Sequence, residues 1–209
     1  MARGHFITFE GGEGAGKTTQ ILCLAEMLQD EGERVVTTRE PGGSPGAEAV
    51  RSLLIDTSQN WCPFSEVLLH NAARFEHLHD VIQPALNSGY WVICDRFTDS
   101  TRAYQGYGLG VALETLNILE NLTVDSIRPD LTIILDVPVD TGLMRVRQRE
   151  KRKDRYENMN PAFHERLREG YRRIAADNPE RCHLIDATLS TQAVQEEVRR
   201  TIKQYLMRL

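Results

Sequence analysis

The chain has 209 residues, 41% of hydrophobic type and 26% charged, enough to bury about two-thirds of its unfolded surface in one core. Its formal net charge of −5 argues against a polymeric nucleic acid as partner, because a basic surface is needed to grip that backbone. No run of about 18 apolar residues occurs, which argues against a membrane span, and the opening MARGHF lacks the apolar stretch of a secretory signal.

Five short apolar runs predict strands at His5–Glu10, Arg34–Thr38, Tyr90–Asp95, Leu131–Val137 and His183–Asp186. After the first comes a glycine-rich loop, then a helix marked by Leu22, Ala25 and Leu28. The second strand runs into Pro41-Gly42-Gly43-Ser44-Pro45, read as a rigid turn. A long helix follows from Phe64 to about Leu86, with a break at Pro84. Between Ser100 and Arg128, a loop at Gly106–Gly110 precedes a helix marked by Leu113, Leu116, Leu119 and Leu122, which Pro129 ends. After the fourth strand come a short helix and a basic run. Pro161 opens a helix carrying Phe163, Leu167, Tyr171 and Ile174, and Val194, Val198, Ile202, Tyr205 and Leu209 mark the last. Nearly continuous apolar strands alternating with helices indicate a mostly parallel sheet covered on both faces, in one domain over 1–209. Cys23, Cys62, Cys94 and Cys182 lie far apart without metal-ligand spacing. The first, third and fourth fall in apolar segments, as buried thiols in a reducing cytoplasm would.

The sequence Gly11-Gly12-Glu13-Gly14-Ala15-Gly16-Lys17-Thr18 fits G-x-x-x-x-G-K-T, directly after a predicted strand and before a predicted helix. Glycines let the loop amides converge on phosphate oxygens, and the helix adds its positive end. Lys17 is expected on the β and γ phosphates of a nucleoside triphosphate, and the Thr18 hydroxyl on magnesium. The third strand ends in Asp95-Arg96. Ligands of parallel sheets sit beyond the carboxyl ends of strands, so Asp95 is expected near the metal. Glu10 is expected to face the same region, holding either the loop or a second substrate. Arg39, Arg51, Arg74 and Arg96 cluster at strand ends and loops, where arginine forks suit a phosphate monoester, although a solvated salt bridge competes for each. Seven positive residues stand among the eleven from Arg145 to Arg155. They read as a solvated helix face or as a lid over the triphosphate. Their position after the fourth strand favours the lid, which would exclude water from the transfer.

The chain carries FEGGEGAGKTT at Phe9–Thr19, TREPGG at Thr38–Gly43, AAR at Ala72–Arg74, CDRFTDSTRAYQG at Cys94–Gly106, RPDLT at Arg128–Thr132, DR-x-E at Asp154–Glu157 and IDA at Ile185–Ala187. Together, over essentially its whole length, these stretches resemble the bacterial thymidylate kinases. The resemblance implies a P-loop nucleoside-monophosphate-kinase-like α/β fold, with a five-stranded parallel sheet flanked by helices and a basic lid at about 145–158. It also implies transfer of the γ-phosphoryl group of ATP to dTMP with magnesium, and a homodimer packed through helices. By position, residues Gly11 to Thr19 would hold ATP phosphates, and Thr18 and Asp95 the metal. A lid arginine and the loop at Asp186-Ala187-Thr188 would enclose the purine. Arg51 and Arg96 would hold the dTMP phosphate, Arg74 the thymine edge, Glu40 the deoxyribose hydroxyl, Ser100 and Gln105 the thymine side, and Tyr104 the sugar. Gly14 stands where the eukaryotic-like branch has an arginine, so catalytic charge is assigned to the lid, first to Arg149 and Arg155, with Arg152 as rival. Lys17, Asp95 and Arg96 complete the catalytic set. His70 stands where many relatives place a phenylalanine that stacks on thymine, and an imidazole offers less apolar area. His77 and His79, two apart, fall on different sides of the helix and suggest no metal site. The rivals are another P-loop nucleotide or nucleoside kinase, and a P-loop ATPase or GTPase module. The absence of an N-K-x-D sequence argues against a GTPase.

Overall fold

The computed structural model describes residues 3–148 and 155–208. Five parallel strands, β1 (Phe6–Glu10), β2 (Val35–Arg39), β3 (Trp91–Asp95), β4 (Leu131–Asp136) and β5 (Cys182–Asp186), form one sheet in the order β2-β3-β1-β4-β5. The runs of β1, β3 and β4 are almost continuously buried because both faces are covered, whereas the edge strands β2 and β5 stay partly exposed. On one face Ile7, Phe9, Ile133 and Leu135 pack under Ile21, Leu24 and Leu28 of α1 (Lys17–Asp30) and under Val194, Val198 and Ile202 of α9 (Thr191–Leu206). On the other face Phe6, Val92 and Cys94 meet Leu78, Ile82 and Leu86. Beside them, Ile134 meets Phe163, Leu167, Tyr171 and Ile174 of α8 (Pro161–Asp177).

Neighbouring strands β1 and β3 leave the sheet in opposite directions, β1 through α1 to the β2 edge and β3 toward β4. The carboxyl ends of such a pair open a crevice, and here the loop after β1 and the Asp95-Arg96 turn both border it. Register pairs Phe9 with Asp95.

Four local expectations are corrected. Leu22 is 60% exposed; α1 buries Ile21, Leu24, Ala25 and Leu28 instead. The turn-rich segment is followed by an unforeseen helix, α2 (Pro45–Ile55), whose N-cap Ser44 accepts from the Ala47 amide at 3.3 Å. The long helix does not break at Pro84. It runs as α3 (Pro63–His77), a π segment (Leu78–Ile82) and α4 (Gln83–Asn87), the wider turn reaching the proline without a break. Gly106 and Gly108 belong not to a loop but to a second π segment (Arg102–Gly108) that follows α5 (Thr98–Thr101), ahead of α6 (Leu113–Val124). Glycine is needed there because a Cβ on Gly108 would stand 2.5 Å from the Phe163 ring. The first residues assigned to the lid are the last turn of α7 (Val139–Arg147), and Tyr156–Asn158 form a 3-10 turn. Among the described residues no helix is long and apolar enough to cross a membrane.

Candidate active site

A cleft of about 220 Å³ extends from the phosphate loop to α3. At one end Gly11, Gly14 and Gly16 have φ values of 132°, 69° and 94°, open to glycine and strained for other residues. Gly11 also lies against β4, where a Cβ would meet the Leu135 carbonyl oxygen at 2.4 Å. Lys17 opens α1 and donates to the carbonyls of Gly11 and Gly12, both at 3.1 Å. Burial, with the charge of Arg96, lowers its pKa. The Thr18 hydroxyl donates to Asp95 Oδ2 at 3.3 Å, while Asp95 Oδ1 is buried and makes no hydrogen bond among the described residues. Thr19 is exposed and, like Gly11 and Gly12, does not line the cleft.

Arg96 closes β3 with φ 72°, an uncommon conformation for a side chain larger than glycine. Its guanidinium bridges the two halves of the cleft. Nη2 donates to Glu13 Oε1 at 2.9 Å, and Nη1 to the Gly11 carbonyl at 3.1 Å, the Tyr171 hydroxyl at 3.2 Å and the Ser100 hydroxyl at 3.3 Å. It lies 4.9 Å from the Tyr104 ring centre, and the Tyr104 hydroxyl donates to Glu13. Burial alone would raise Glu13, but Arg96 and Lys17 hold it below the usual carboxylate range.

Glu10 does not reach the cleft. Strand parity puts it on the face of Phe6 and Thr8, fully buried. Its Oε1 accepts from the amides of Phe97 (2.7 Å) and Ser100 (3.3 Å), and its Oε2 from the hydroxyls of Ser100 (2.6 Å) and Tyr171 (3.1 Å). It therefore holds the turn that aims Arg96. Burial and the nearby Asp99 push its pKa up to about 7.

At the other end, Arg74 donates through Nε to Glu40 Oε2 at 2.8 Å and through Nη2 to the Phe97 carbonyl (3.1 Å) and the Thr101 hydroxyl (3.0 Å). Both partners of this ion pair are almost wholly buried, and Glu40 also receives His77 at 3.1 Å. Arg51 on α2 reaches the Pro41 carbonyl at 2.6 Å and borders the same cleft. Burial, reinforced by Arg74, Arg96 and Arg51, lowers His70 to about 3, so its ring is neutral at pH 7. Gln105 donates to the Tyr156 hydroxyl at 2.9 Å.

Arg155 is not a cation held over the phosphate loop. Its guanidinium lies 2.6 Å from Glu66 of α3, one helical turn before His70, where a fully buried carboxylate outcompetes solvent for it. Arg149 and Arg152 lie outside the described residues. Asp186 and Ala187 are not in the cleft wall. Asp186 caps its own turn through Thr188, and the Ala187 carbonyl accepts from Arg145 at 3.0 Å. Arg145 also reaches the Gly14 carbonyl at 3.4 Å, so this arginine joins the loop after β5 to the phosphate loop. Arg145, Glu66, Tyr156 and Tyr171 were not singled out as site residues by sequence. Their parts depend on partners between 39 and 161 positions away, beyond any local pattern.

Among the described residues no group of three or more His, Cys, Asp or Glu side chains forms a self-sufficient metal site. Magnesium held together with nucleotide phosphates needs only one or two protein oxygens, and Thr18 with the unsatisfied Asp95 Oδ1 meets that demand.

The thymidylate kinase family model matches residues 9–198. A thymidylate kinase of Rhodopseudomonas palustris (strain BisB18) is 52% identical over 209 residues, spanning 98% of this chain and 91% of the relative. One of Bradyrhizobium sp. (strain ORS 278) is 51% identical, spanning 98% and 92%. The crystal structure of thymidylate kinase from Ehrlichia chaffeensis superposes with a TM-score of 0.79 at 40% identity, covering 96% of this chain and 99% of that one. With a phosphate loop and a buried arginine–carboxylate acceptor end facing each other across one crevice, and with likeness along almost its full length, the chain belongs to the thymidylate kinase family.

Proposed function

We propose that the cleft carries the γ-phosphoryl group of ATP to dTMP, giving dTDP and ADP on the way to dTTP. The observation that carries this assignment is Arg96, whose one guanidinium touches Gly11 and Glu13 of the phosphate loop and the Ser100–Tyr104 wall of the acceptor end. A group there neutralises charge as it moves between two phosphates. Lys17 exchanges its loop carbonyls for β and γ phosphate oxygens. Arg51 and Arg96 grip the dTMP phosphate, Arg74 offers its remaining Nη1 to the thymine edge, and the neutral His70 ring supplies a flat face for the base. Glu40 and Tyr104 flank the sugar. Arg145 is the described arginine that suits the purine side, next to Ala187. Arg149 is retained as the lid arginine for the transferring group.

Magnesium, held by Thr18 and Asp95 together with phosphate oxygens, supplies charge neutralisation at the triphosphate. The chain is read as one domain with a lid at about 145–158. Cys94 and Cys182, buried as free thiols, suit work in a reducing cytoplasm. Two copies are read as packing through α2, α3 and α6, which present Leu53, Phe64, Leu68, Phe75, Ile118 and Leu122 to solvent in one chain.

The test is an acceptor panel with magnesium-ATP. Turnover is expected to be strong with dTMP, weaker with dUMP and nearly absent with thymidine, dCMP or AMP. Equal rates with thymidine and dTMP would refute a monophosphate acceptor, and a rate indifferent to dTMP would point to an ATPase.

A further inference from the structure

The base end of the cleft is backed by a carboxylate that no sequence motif marks. Glu66 on α3 is fully buried, and Arg155 beside its Oε1 supplies the counter-charge. Its Oε2 accepts from the Tyr156 hydroxyl at 3.0 Å and from Gln105 Nε2 at 3.4 Å. Gln105 Nε2 also donates to the Tyr156 oxygen at 2.9 Å.

The charge on Glu66 sets the polarity of this triangle, and His70 Nε2, 3.5 Å from the Tyr156 oxygen, can serve as a second donor to it. An ionised carboxylate only accepts hydrogen bonds. Tyr156 spends its single proton on Glu66, so its oxygen is left as an acceptor toward Gln105. Both groups behind Gln105 thus demand its NH2. Turning the carboxamide over would set its carbonyl against a buried carboxylate. The carbonyl oxygen is the polar atom left for a ligand in the cleft that Gln105 lines.

We propose that Glu66, with Arg155 as counter-ion and Tyr156 as relay, locks the Gln105 carboxamide as a hydrogen-bond acceptor and so selects bases that carry a proton on N3. Thymine and uracil carry that proton, whereas cytosine presents a lone pair there. A locked acceptor bonds the first two and repels the third. The inference rests on the dTMP reading of the site. Glu66 does not touch the base, so it is a positioning residue.

The experiment measures kcat/KM for dTMP, dCMP and N3-methyl-dTMP in the wild type, Glu66→Gln and Tyr156→Phe, with dTMP affinity by calorimetry and melting temperature as a check on folding. Glutamine at 66 both donates and accepts, which frees Gln105 to turn. The expected result is a fall of about tenfold or more in the dTMP-over-dCMP preference of Glu66→Gln, mostly through KM, with a matching shrinkage of the N3-methyl penalty. Tyr156→Phe keeps the carboxylate and should lower the preference by about two- to fivefold. An unchanged preference in folded Glu66→Gln, or an equal loss on both nucleotides, overturns the proposal. If Glu66→Gln does not fold, an unchanged preference in Tyr156→Phe does so. Absence of dTMP turnover in the wild type would instead overturn the underlying assignment.

Discussion

A Cβ on Gly14 would stand 2.1 Å from the carbonyl oxygen of Gly142, and one on Gly142 would stand 2.3 Å from the carbonyl oxygen of Glu13. Helix α7 thus lies backbone to backbone on the phosphate loop. Gly142→Ala must push the two apart and misalign the loop amides. The expected outcome is a loss of about tenfold or more in kcat/KM for ATP with dTMP affinity retained, read by steady-state kinetics and calorimetry.

Lys17 and Arg74 stand at opposite ends of the cleft, so their losses should differ in kind. Lys17→Ala should lower the transfer rate by about 10²-fold or more while dTMP still binds. Arg74→Ala leaves the Glu40 carboxylate buried without its guanidinium and should cost about 3–5 kcal/mol of stability besides weakening dTMP. Denaturant titration alongside single-turnover kinetics separates the two.

His70 gives an acid limit. Its folded pKa of about 3 lies below the ordinary 6.5, so between these values the unfolded chain binds a proton that the folded chain refuses. Stability from this group is full above pH 6.5 and is lost as pH falls toward 3. His70→Phe should flatten that slope and tighten dTMP by about two- to fivefold through a larger apolar face. Urea melts between pH 4 and 7, with dTMP titrations at pH 7.5, check both.

Glu10 has the opposite sign. With a folded pKa of about 7 against 4.5, the folded chain holds a proton that the unfolded chain has released. That stability is complete below pH 4.5 and disappears as pH rises through 7. Glu10→Gln has no such loss, so it should gain on the wild type between pH 5 and pH 8 in denaturant melts. Its turnover should fall, since the turn bearing Arg96 loses acceptors.

Leu122 is 72% exposed and Ile118 62% exposed on α6. If two copies pack there, Leu122→Glu should yield monomers in sedimentation experiments at micromolar concentration, without loss of helical content.

Much of this architecture was legible in the sequence, for reasons that also explain the gaps. Strands β1, β3 and β4 announce themselves because burial on both faces leaves no polar alternation, while the edge strands β2 and β5 show as shorter, half-exposed apolar runs. The phosphate loop is legible because φ values such as 94° at Gly16 demand glycine. Helix α2 was hidden behind Pro41-Gly42-Gly43-Ser44-Pro45, although Ser44-Pro45 is itself a helix start. The location of Glu10 was recoverable by counting alternate residues from Phe6. The partner of Arg155 was not, because Glu66 lies far away in sequence and its burial is a tertiary fact.

The middle place of β1 has a consequence for how the protein is made. Ile7 sits opposite both Ile93 and Leu131, so a nascent chain holds its first strand without its β3 neighbour for about 86 further residues and without its β4 neighbour for about 124. Products cut short before Leu131 would keep one edge of Phe-Ile-Thr-Phe unpaired, a template for sticking to other chains. Translation pauses in that interval should therefore cost soluble yield more than pauses after Asp136.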